Sequence, residues 1–157
     1  MSSPKPSHLV FVYGTLKRGE GNHSLLKKSE LLSVATTCFK FRMFHVGFPV
    51  LMPEIGDGRQ VGNVRGEVYR IDEAVLRRLD GLESEGHMYK RVKIDVTTES
   101  GELLEVQTYI GMQDFWDQRG IGGKQYGRSV QPTDGILDWS RKTVELAICA
   151  ESTIKAE

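Results

Sequence analysis

The chain has 157 residues, of which 39% are hydrophobic and 27% are charged, a globular balance that excludes overall disorder and predicts one domain over residues 1–157. Its 21 Lys and Arg residues cancel its 21 Asp and Glu residues, so the totals do not predict a basic nucleic-acid-binding face. Without a signal peptide or an apolar run near the ~18 residues of a membrane span, we expect a cytoplasmic protein that contacts neither nucleic acid nor membrane. The oligomeric state is not predicted.

The first half of the chain has the pattern of strands separated by glycine-rich turns. Residues 8–13 (HLVFVY) are apolar and β-branched, which predicts a strand buried on both faces and ended by Gly14. Asn22 is a predicted N-cap for the short helix HSLLKK. The sequence next predicts a long strand or a bent pair of strands over 31–46 and a short pairing segment over 50–52. It then predicts a loop over 53–62 and a strand over 64–71.

The second half begins with a helix and a hairpin. Asp72 is a predicted N-cap, and apolar residues at helical spacing follow it through EAVLRRLDGLE, with Gly81 and Gly86 near the end. Residues 88–98 and 103–112 flank a short polar turn, which predicts an antiparallel hairpin. The motif-bearing body is thus 8–112, and 113–157 is a largely irregular tail with a closing helix over 138–150.

Cysteines and histidines predict no metal site. Cys38 and Cys149 form no C-x-x-C pair, so we expect buried free thiols rather than a disulfide framework. The four histidines are His8, His23, His45 and His87. They lack the close spacing of metal ligands, so we expect no metal, and no motif indicates a cofactor.

The first candidate for chemistry is the turn Tyr13-Gly14-Thr15-Leu16, which follows a buried strand. Glycine allows the backbone to approach a ligand closely, and successive backbone N–H groups in a turn form a concavity that attracts carboxylates. An ordinary strand-ending turn has the same residue pattern, and spacing alone favours that interpretation.

The second candidate is the acidic segment over 79–86 (LDGLESEG), at the end of the amphipathic helix. The helix dipole disfavours negative charge at a C-terminus, and partial burial raises the pKa of a carboxyl group, so an acid held there becomes a better general base near neutral pH. The alternative is a set of solvated acids on a loop.

Taken together, these segments resemble a known family. VFVYGTLKRGEGNHSLL, GDGRQVGNVRGEVYRID and LDGLESEGHMYKR are similar, in this order, to the signatures of the γ-glutamylcyclotransferase-like superfamily. The K-R-G-x-x-N-H extension most resembles the γ-glutamylamine cyclotransferase (AIG2-like) branch. The resemblance implies an α+β fold, a small mixed β-barrel of about six strands with helices packed outside. It also implies cofactor-free release of a γ-glutamyl group from an amide as 5-oxoproline.

The same resemblance implies roles for individual residues. Glu83 corresponds to the catalytic acid/base, and its spacing from Leu79-Asp80 favours it over Glu85. The implied substrate-binding residues are Tyr13, Gly14, Thr15, Leu16 and Tyr89. Asp80 is expected to be a hydrogen-bond partner at the helix end rather than a second acid.

The implied chemistry needs few groups, because the α-amine of a γ-glutamyl amide can attack its own γ-carbonyl. Glu83 would remove the amine proton and return it to the leaving amine. Two alternatives stay open: a non-catalytic module that binds a carboxylate or γ-glutamyl ligand, and γ-glutamyl removal from a different substrate on the same scaffold. Unassigned residues are Phe48 and Pro49, which either line the pocket or form an ordinary turn, and Trp116, Tyr126 and Gly120–Gly127, a candidate lid.

Overall fold

The computed structural model describes residues 7–53, 61–117, 128–142 and 144. The strands are β1 Ser7–Val12, β2 Glu30–His45, β3 Pro49–Pro53, β4 Gly62–Asp72, β5 Tyr89–Thr98, β6 Leu103–Gly111, β7 Arg128–Ser129 and β8 Ile136–Leu137. The helices are α1 Glu73–Leu82, α2 Gln113–Asp117 and a 3-10 helix over His23–Leu26.

Five strands close a barrel in the order β2, β5, β6, β1 and β4, with β4 pairing back onto β2. The β1–β6 pair is parallel and the other four barrel pairs are antiparallel, so the barrel is mixed. The short strands β3, β7 and β8 extend the sheet from β2 and β4. The predicted small mixed barrel is therefore confirmed.

Strand β2 makes closure possible because it pairs with β3, β4, β5 and β7 along its 16 residues. Its pairing with β4 shifts register between Leu31 and Ser33 and between Thr36 and Lys40, the kind of irregularity that bends a strand around a barrel. Cys38 lies in the second irregular stretch and is exposed, with its thiol 3.5 Å from Thr97 Oγ1. The prediction of a buried thiol is wrong for Cys38, and Cys149 lies outside the described residues.

The first strand is buried on both faces, as its apolar run predicts. Val10 and Val12 pack in the core cluster that includes Leu79 of α1, whereas the alternate residues Phe11 and Tyr13 pack in a second core cluster. The strand therefore lies between two apolar layers, and the turn that follows it leaves the core at a fixed position.

The two predicted helix caps differ in outcome. The Asp72 carboxylate accepts a hydrogen bond from the Val75 N–H at 2.8 Å, which confirms it as the N-cap of α1. Asn22 makes no side-chain cap, so that prediction is wrong; its amide donates instead to Thr15 Oγ1 at 3.0 Å, and the following segment is a 3-10 helix. Asn22 thus braces the preceding turn rather than the helix.

The tail is docked on the barrel. Trp139 is fully buried and its indole N–H donates to His45 Nδ1 at 3.2 Å, while Lys17 forms an ion pair with Asp138 at 3.1 Å. Of the predicted closing helix, the structure describes helical positions at 141, 142 and 144, and the rest lies outside the described residues. In the described part of the chain, no helix has the length and apolarity that a bilayer span requires.

Candidate active site

A cavity of about 260 Å³ opens where the turn after β1 meets the end of α1. Its lining residues are Phe11, Val12, Tyr13, Gly14, Thr15, Leu16, Asn22, Phe48, Pro49, Leu82, Glu83, Met88, Tyr89, Tyr109 and Arg141. Every site residue predicted from the sequence is in this set. Phe48 and Pro49, for which the sequence left two interpretations open, also line the cavity.

The turn over residues 13–22 contributes backbone to the cavity. Within the part of the chain that the structure describes, the N–H groups of Gly14, Thr15 and Leu16 donate to no protein acceptor. Gly14 is required for space, because a Cβ there would overlap the ring of Pro49, with Pro49 Cδ at 2.9 Å. The turn therefore lines the cavity with three successive residues whose backbone N–H groups have no described acceptor, a feature of turns that bind anions.

This turn is anchored from outside the cavity by a carboxylate. Glu67 is only 8% exposed and accepts from the backbone N–H of Arg18 at 2.9 Å and from its Nε at 3.0 Å. The Tyr69 hydroxyl donates to the same carboxylate at 2.9 Å. Burial alone would raise the pKa of Glu67, but these hydrogen bonds outweigh it and hold the pKa below its usual value. Glu67 thus remains charged and fixes the turn to β4.

Three further contacts hold the turn. Asn22 donates to Thr15 Oγ1 as described above, and His23 Nδ1 lies 2.9 Å from the Leu16 carbonyl oxygen. The Asn22 backbone N–H also donates to the Thr15 carbonyl at 2.8 Å. Because both carbonyls are bound by the 3-10 helix region, the peptide planes of the turn have a set orientation before any ligand arrives.

Glu83 caps the C-terminus of α1 and enters the cavity. Its backbone N–H donates to the Leu79 carbonyl at 2.9 Å, and Ser84 next to it adopts the left-handed conformation that ends the helix, with φ of 48°. Burial raises the pKa of Glu83 to about 7. Glu85, by contrast, is exposed and does not line the cavity. Of the two neighbouring acids, the structure therefore brings only Glu83 to the candidate site.

Tyr13 and Tyr89 are buried in the cavity wall with fixed hydroxyl groups. Tyr13 donates to the Tyr109 carbonyl at 2.6 Å, and Tyr89 donates to the Pro49 carbonyl at 3.1 Å. Burial and, next, the negative charge of Glu83 raise the pKa of Tyr13 well above its usual value. The Tyr13 hydroxyl is thus protonated near neutral pH, and it lies within the electrostatic reach of Glu83.

Asp80 fixes the helix that carries Glu83, which agrees with its expected role as a helix-end partner. It accepts from the Tyr109 hydroxyl at 2.6 Å and forms an ion pair with Arg91. Burial, followed by the hydrogen bond to Asp80, raises the pKa of Tyr109, so its hydroxyl stays a donor. The end of α1 is thereby tied to the β5–β6 hairpin.

Several lining residues were not singled out from the sequence. Asn22 had been assigned only a helix cap, and Met88, Tyr109 and Arg141 had no assigned function. Tyr109 and Arg141 come from a hairpin and from the tail, so no local motif could place them beside Glu83. Only the folded chain shows that they contribute to the same cavity.

Trp116 supports the cavity from behind. It is buried, its indole N–H donates to the Met88 carbonyl at 2.9 Å, and its ring lies 6.2 Å from that of Phe48 and 6.0 Å from that of Tyr89. It therefore packs beneath lining residues and is not a lid. Tyr126 and residues 120–127 lie outside the described residues.

The chemistry that this cavity can perform follows from its polar groups. Among the described residues that line it, Glu83 is the only carboxylate and Arg141 the only cation. A carboxyl group with a pKa near 7 exchanges protons readily at neutral pH, and backbone donors can stabilise an anion nearby. The described residues contain no cluster of three or more His, Cys, Asp or Glu side chains that could hold a metal ion.

Comparison with known proteins identifies similar chains. A family model for gamma-glutamyl cyclotransferase, AIG2-like, matches residues 10–128. Gamma-glutamylaminecyclotransferase C from Danio rerio is 33% identical over 125 residues, covering 70% of this chain and 80% of that protein. Gamma-glutamylaminecyclotransferase from Homo sapiens is 41% identical over 105 residues, covering 62% of this chain and 63% of that protein.

A solved structure shows a related fold. The crystal structure of an AIG2-like protein from Mus musculus has a TM-score of 0.61 and 26% sequence identity to this chain. The match covers 86% of this chain and 97% of that one.

Proposed function

The chain belongs to the gamma-glutamyl cyclotransferase, AIG2-like family of enzymes, and we propose that it cyclises γ-glutamylamines to 5-oxoproline with release of a free amine. Glu83 is the proposed general acid/base, and Tyr13, Gly14, Thr15, Leu16 and Tyr89 are the proposed substrate-binding residues. One observation carries the proposal. The only carboxylate among the described lining residues has a pKa of about 7 and shares a cavity with a turn of unused backbone donors.

The proposed reaction needs no protein nucleophile. The α-amine of the substrate attacks its own γ-carbonyl carbon, a C–N bond forms, and a five-membered ring results. Holding an intramolecular nucleophile in position is worth an effective concentration of ~10⁵ M or more, so the first task of the cavity is to fold the substrate correctly. Its small volume, about 260 Å³, favours such a compact conformation.

Glu83 moves the proton in this scheme. The α-amine arrives protonated, so the ionised carboxylate first accepts its proton, which frees the nitrogen lone pair for attack. The same carboxyl group then donates the proton to the departing nitrogen as the original amide C–N bond breaks. A group with a pKa of about 7 suits both steps, because neither protonation state is strongly favoured near neutral pH.

The turn after β1 provides the proposed anion site. Backbone N–H groups from Gly14 to Leu16 would bind the substrate α-carboxylate or stabilise negative charge on the carbonyl oxygen during attack. The anchoring by Glu67 and Asn22 supports this role, since donors fixed before binding need no reorganisation during the reaction.

The γ-glutamylamine class is supported by sequence similarity. The K-R-G-x-x-N-H extension over residues 17–23 resembles that of the corresponding branch, and two relatives of this chain carry the name gamma-glutamylaminecyclotransferase. The proposed substrates include γ-glutamyl-ε-lysine, which the breakdown of cross-linked protein would supply.

Two other functions predict different observations. A non-catalytic binding module would have no use for a half-buried carboxylate whose pKa is raised by burial, so Glu83 argues against it. γ-Glutamyl removal from a different substrate would use the same cavity, and only the leaving amine would differ.

The decisive test is to incubate the protein with γ-glutamylamines, γ-glutamyl amino acids and glutathione, and to detect 5-oxoproline. We expect 5-oxoproline from the γ-glutamylamines in preference to glutathione. Binding without turnover of any member would reject the enzyme and favour the binding module. Turnover of another member in preference to the amines would reject the proposed substrate class.

A further inference from the structure

The tail segment over residues 136–141 contacts the turn after β1, which is the proposed anion site. The carboxylate of Asp138 forms an ion pair with the ammonium group of Lys17 at 3.1 Å. The backbone N–H of Arg141 donates to Glu20 Oε1 at 3.0 Å. The proposed reaction assigns no role to this segment, although both of its partners belong to the turn.

The tail segment is itself anchored to the barrel on both sides of Asp138. Before it, β8 pairs with β4 in parallel, and Leu137 is fully buried. After it, Trp139 is fully buried, and its indole N–H donates to His45 Nδ1 at 3.2 Å. Closely packed neighbours on both sides hold the backbone of Asp138, so its carboxylate meets Lys17 at a position that the barrel determines.

Lys17 is the residue that joins the two halves of the turn. Its backbone N–H donates to the Gly14 carbonyl at 3.0 Å, which closes a four-residue turn around Thr15 and Leu16. Its own carbonyl accepts from the Glu20 N–H at 3.0 Å, which closes the next turn. The position of Lys17 therefore sets the direction of the Thr15 and Leu16 peptides, whose N–H groups are among the proposed donors.

Burial of the Lys17 side chain distinguishes this ion pair from a surface contact. Only 13% of that side chain is exposed, against 55% for Asp138, whereas pairs between two exposed groups contribute little. A largely buried ammonium group that loses its carboxylate keeps its desolvation cost, so the turn must rearrange to hydrate it. Neither residue is among the described residues that line the cavity, so the pair acts on the turn from outside.

We propose that Asp138 is a positioning residue: through its ion pair with Lys17, the tail segment holds the backbone donors of the turn in the arrangement that binds the substrate α-carboxylate. This inference rests on the proposed function. It gives a role to a segment beyond residues 10–128, which the family model matches. Asp138 contacts neither the substrate nor Glu83, so it affects substrate binding and leaves proton transfer unchanged.

A double-mutant cycle tests the pair. K17M and D138N each remove one charge, and we expect each to raise KM for a γ-glutamylamine about 5-fold with kcat within about 2-fold of wild type. The double variant should also show an increase of about 5-fold rather than about 25-fold, because the second change removes no further interaction. Arg65 Nε lies 4.0 Å from Asp138 Oδ2, and additive effects in the cycle would reveal a role for that contact instead.

Hydrogen exchange measures the same effect without a substrate. The backbone N–H groups of Lys17 and Asn22 donate within the turn, and NMR should show them exchanging about 5-fold faster in K17M and D138N. E30Q is the matched control. Glu30 forms an ion pair with Arg70 at 2.9 Å in which both groups are exposed, and no described contact connects it with the turn. E30Q should change neither KM nor exchange.

The outcomes separate this inference from the proposed function. No 5-oxoproline from the wild type would overturn both. Unchanged KM or unchanged exchange in K17M or D138N, additive effects in the cycle, or an equal change in E30Q would overturn the role of Asp138 alone. A fall in kcat, with a shift of the pH at which kcat/KM falls, would also overturn it, since the tail segment would then act on Glu83.

Discussion

The carboxyl group of Glu83 lies where a negative charge is costly. The C-terminus of α1 carries partial negative charge from its carbonyl groups, and burial in the cavity removes water that would stabilise the ion. Both effects favour the protonated form. A side chain in this position is unfavourable for stability alone, but it is suited to exchange a proton with a substrate near neutral pH.

Exchange of Glu83 for glutamine tests its proposed role directly. E83Q keeps the size of the side chain and removes the base, so we expect turnover to fall by at least ~10²-fold with the fold intact. E85Q is the matched control, because Glu85 is exposed and outside the cavity lining, and its effect should be mild. Steady-state release of 5-oxoproline measures both, and circular dichroism checks the fold. The reverse order of effects would show that the acid was misassigned.

The pKa of Glu83 also predicts a pH dependence. The base must be ionised to accept the amine proton, and its pKa is about 7, so the reactive form predominates above that pH and is lost below it. We expect kcat/KM to fall about tenfold per pH unit below pH 7. The residual activity of E83Q should not show this fall in kcat/KM below pH 7. If kcat/KM of the wild type instead fell with a midpoint near pH 4.5, the ordinary pKa of a glutamate, then burial would not raise the pKa of Glu83.

At the scale of single elements, the local sequence predicted those strands, turns and caps that depend on contacts between neighbouring residues. The apolar run of β1, the polar turn of the β5–β6 hairpin and the Asp72 cap of α1 all depend on neighbours in sequence, and each element formed as predicted. Asn22 did not form a cap, because a tertiary contact with Thr15 takes its side chain. Strands β7 and β8 have two residues each, too few for any period to appear.

Two glycines in neighbouring elements should respond oppositely to alanine. A Cβ at Gly66 in β4 would overlap the Val12 carbonyl of β1 and lie 2.6 Å from Phe11 Cζ, whereas a Cβ at Gly81 in α1 meets nothing within 4 Å. We expect G66A to destabilise the fold by about 3 kcal/mol through overpacking. G81A should stabilise it by about 0.5 to 1 kcal/mol, because alanine favours the helix.

Urea denaturation at equal protein concentration measures both glycine variants through their midpoints. The pair controls for the added methyl group, since only its surroundings differ. A stable G66A would contradict the close approach of β1 and β4 on which the position of the turn after β1 depends. A destabilised G81A would contradict the exposed, regular end of α1.

At the scale of the whole molecule, the cavity combines segments that are distant in sequence. The turn after β1 and the end of α1 carry motifs, and the sequence predicted their residues, including Glu83. It also predicted Tyr89, the first residue of β5. Tyr109 and Arg141 could not be predicted, because barrel closure and the docking of Trp139 against His45 place them there. Motifs therefore identified the proposed chemistry, and the fold was needed to show the rest of the cavity wall.

The last prediction concerns the fate of the carbonyl carbon, because cyclisation and hydrolysis give different products from the same substrate. Hydrolysis needs a protein nucleophile or an activated water. No Ser, Cys or His is among the described residues that line the cavity, and the hydroxyl of the lining Thr15 accepts a hydrogen bond from the Asn22 amide, which is not a base. Cyclisation uses the amine of the substrate, so no oxygen enters from solvent. In ¹⁸O-labelled water we therefore expect unlabelled 5-oxoproline, measured by mass spectrometry, and no product from a substrate whose α-amine is acetylated. Labelled glutamate as the initial product would reject cyclisation and assign amide hydrolysis to this cavity, with Glu83 activating water instead of an amine.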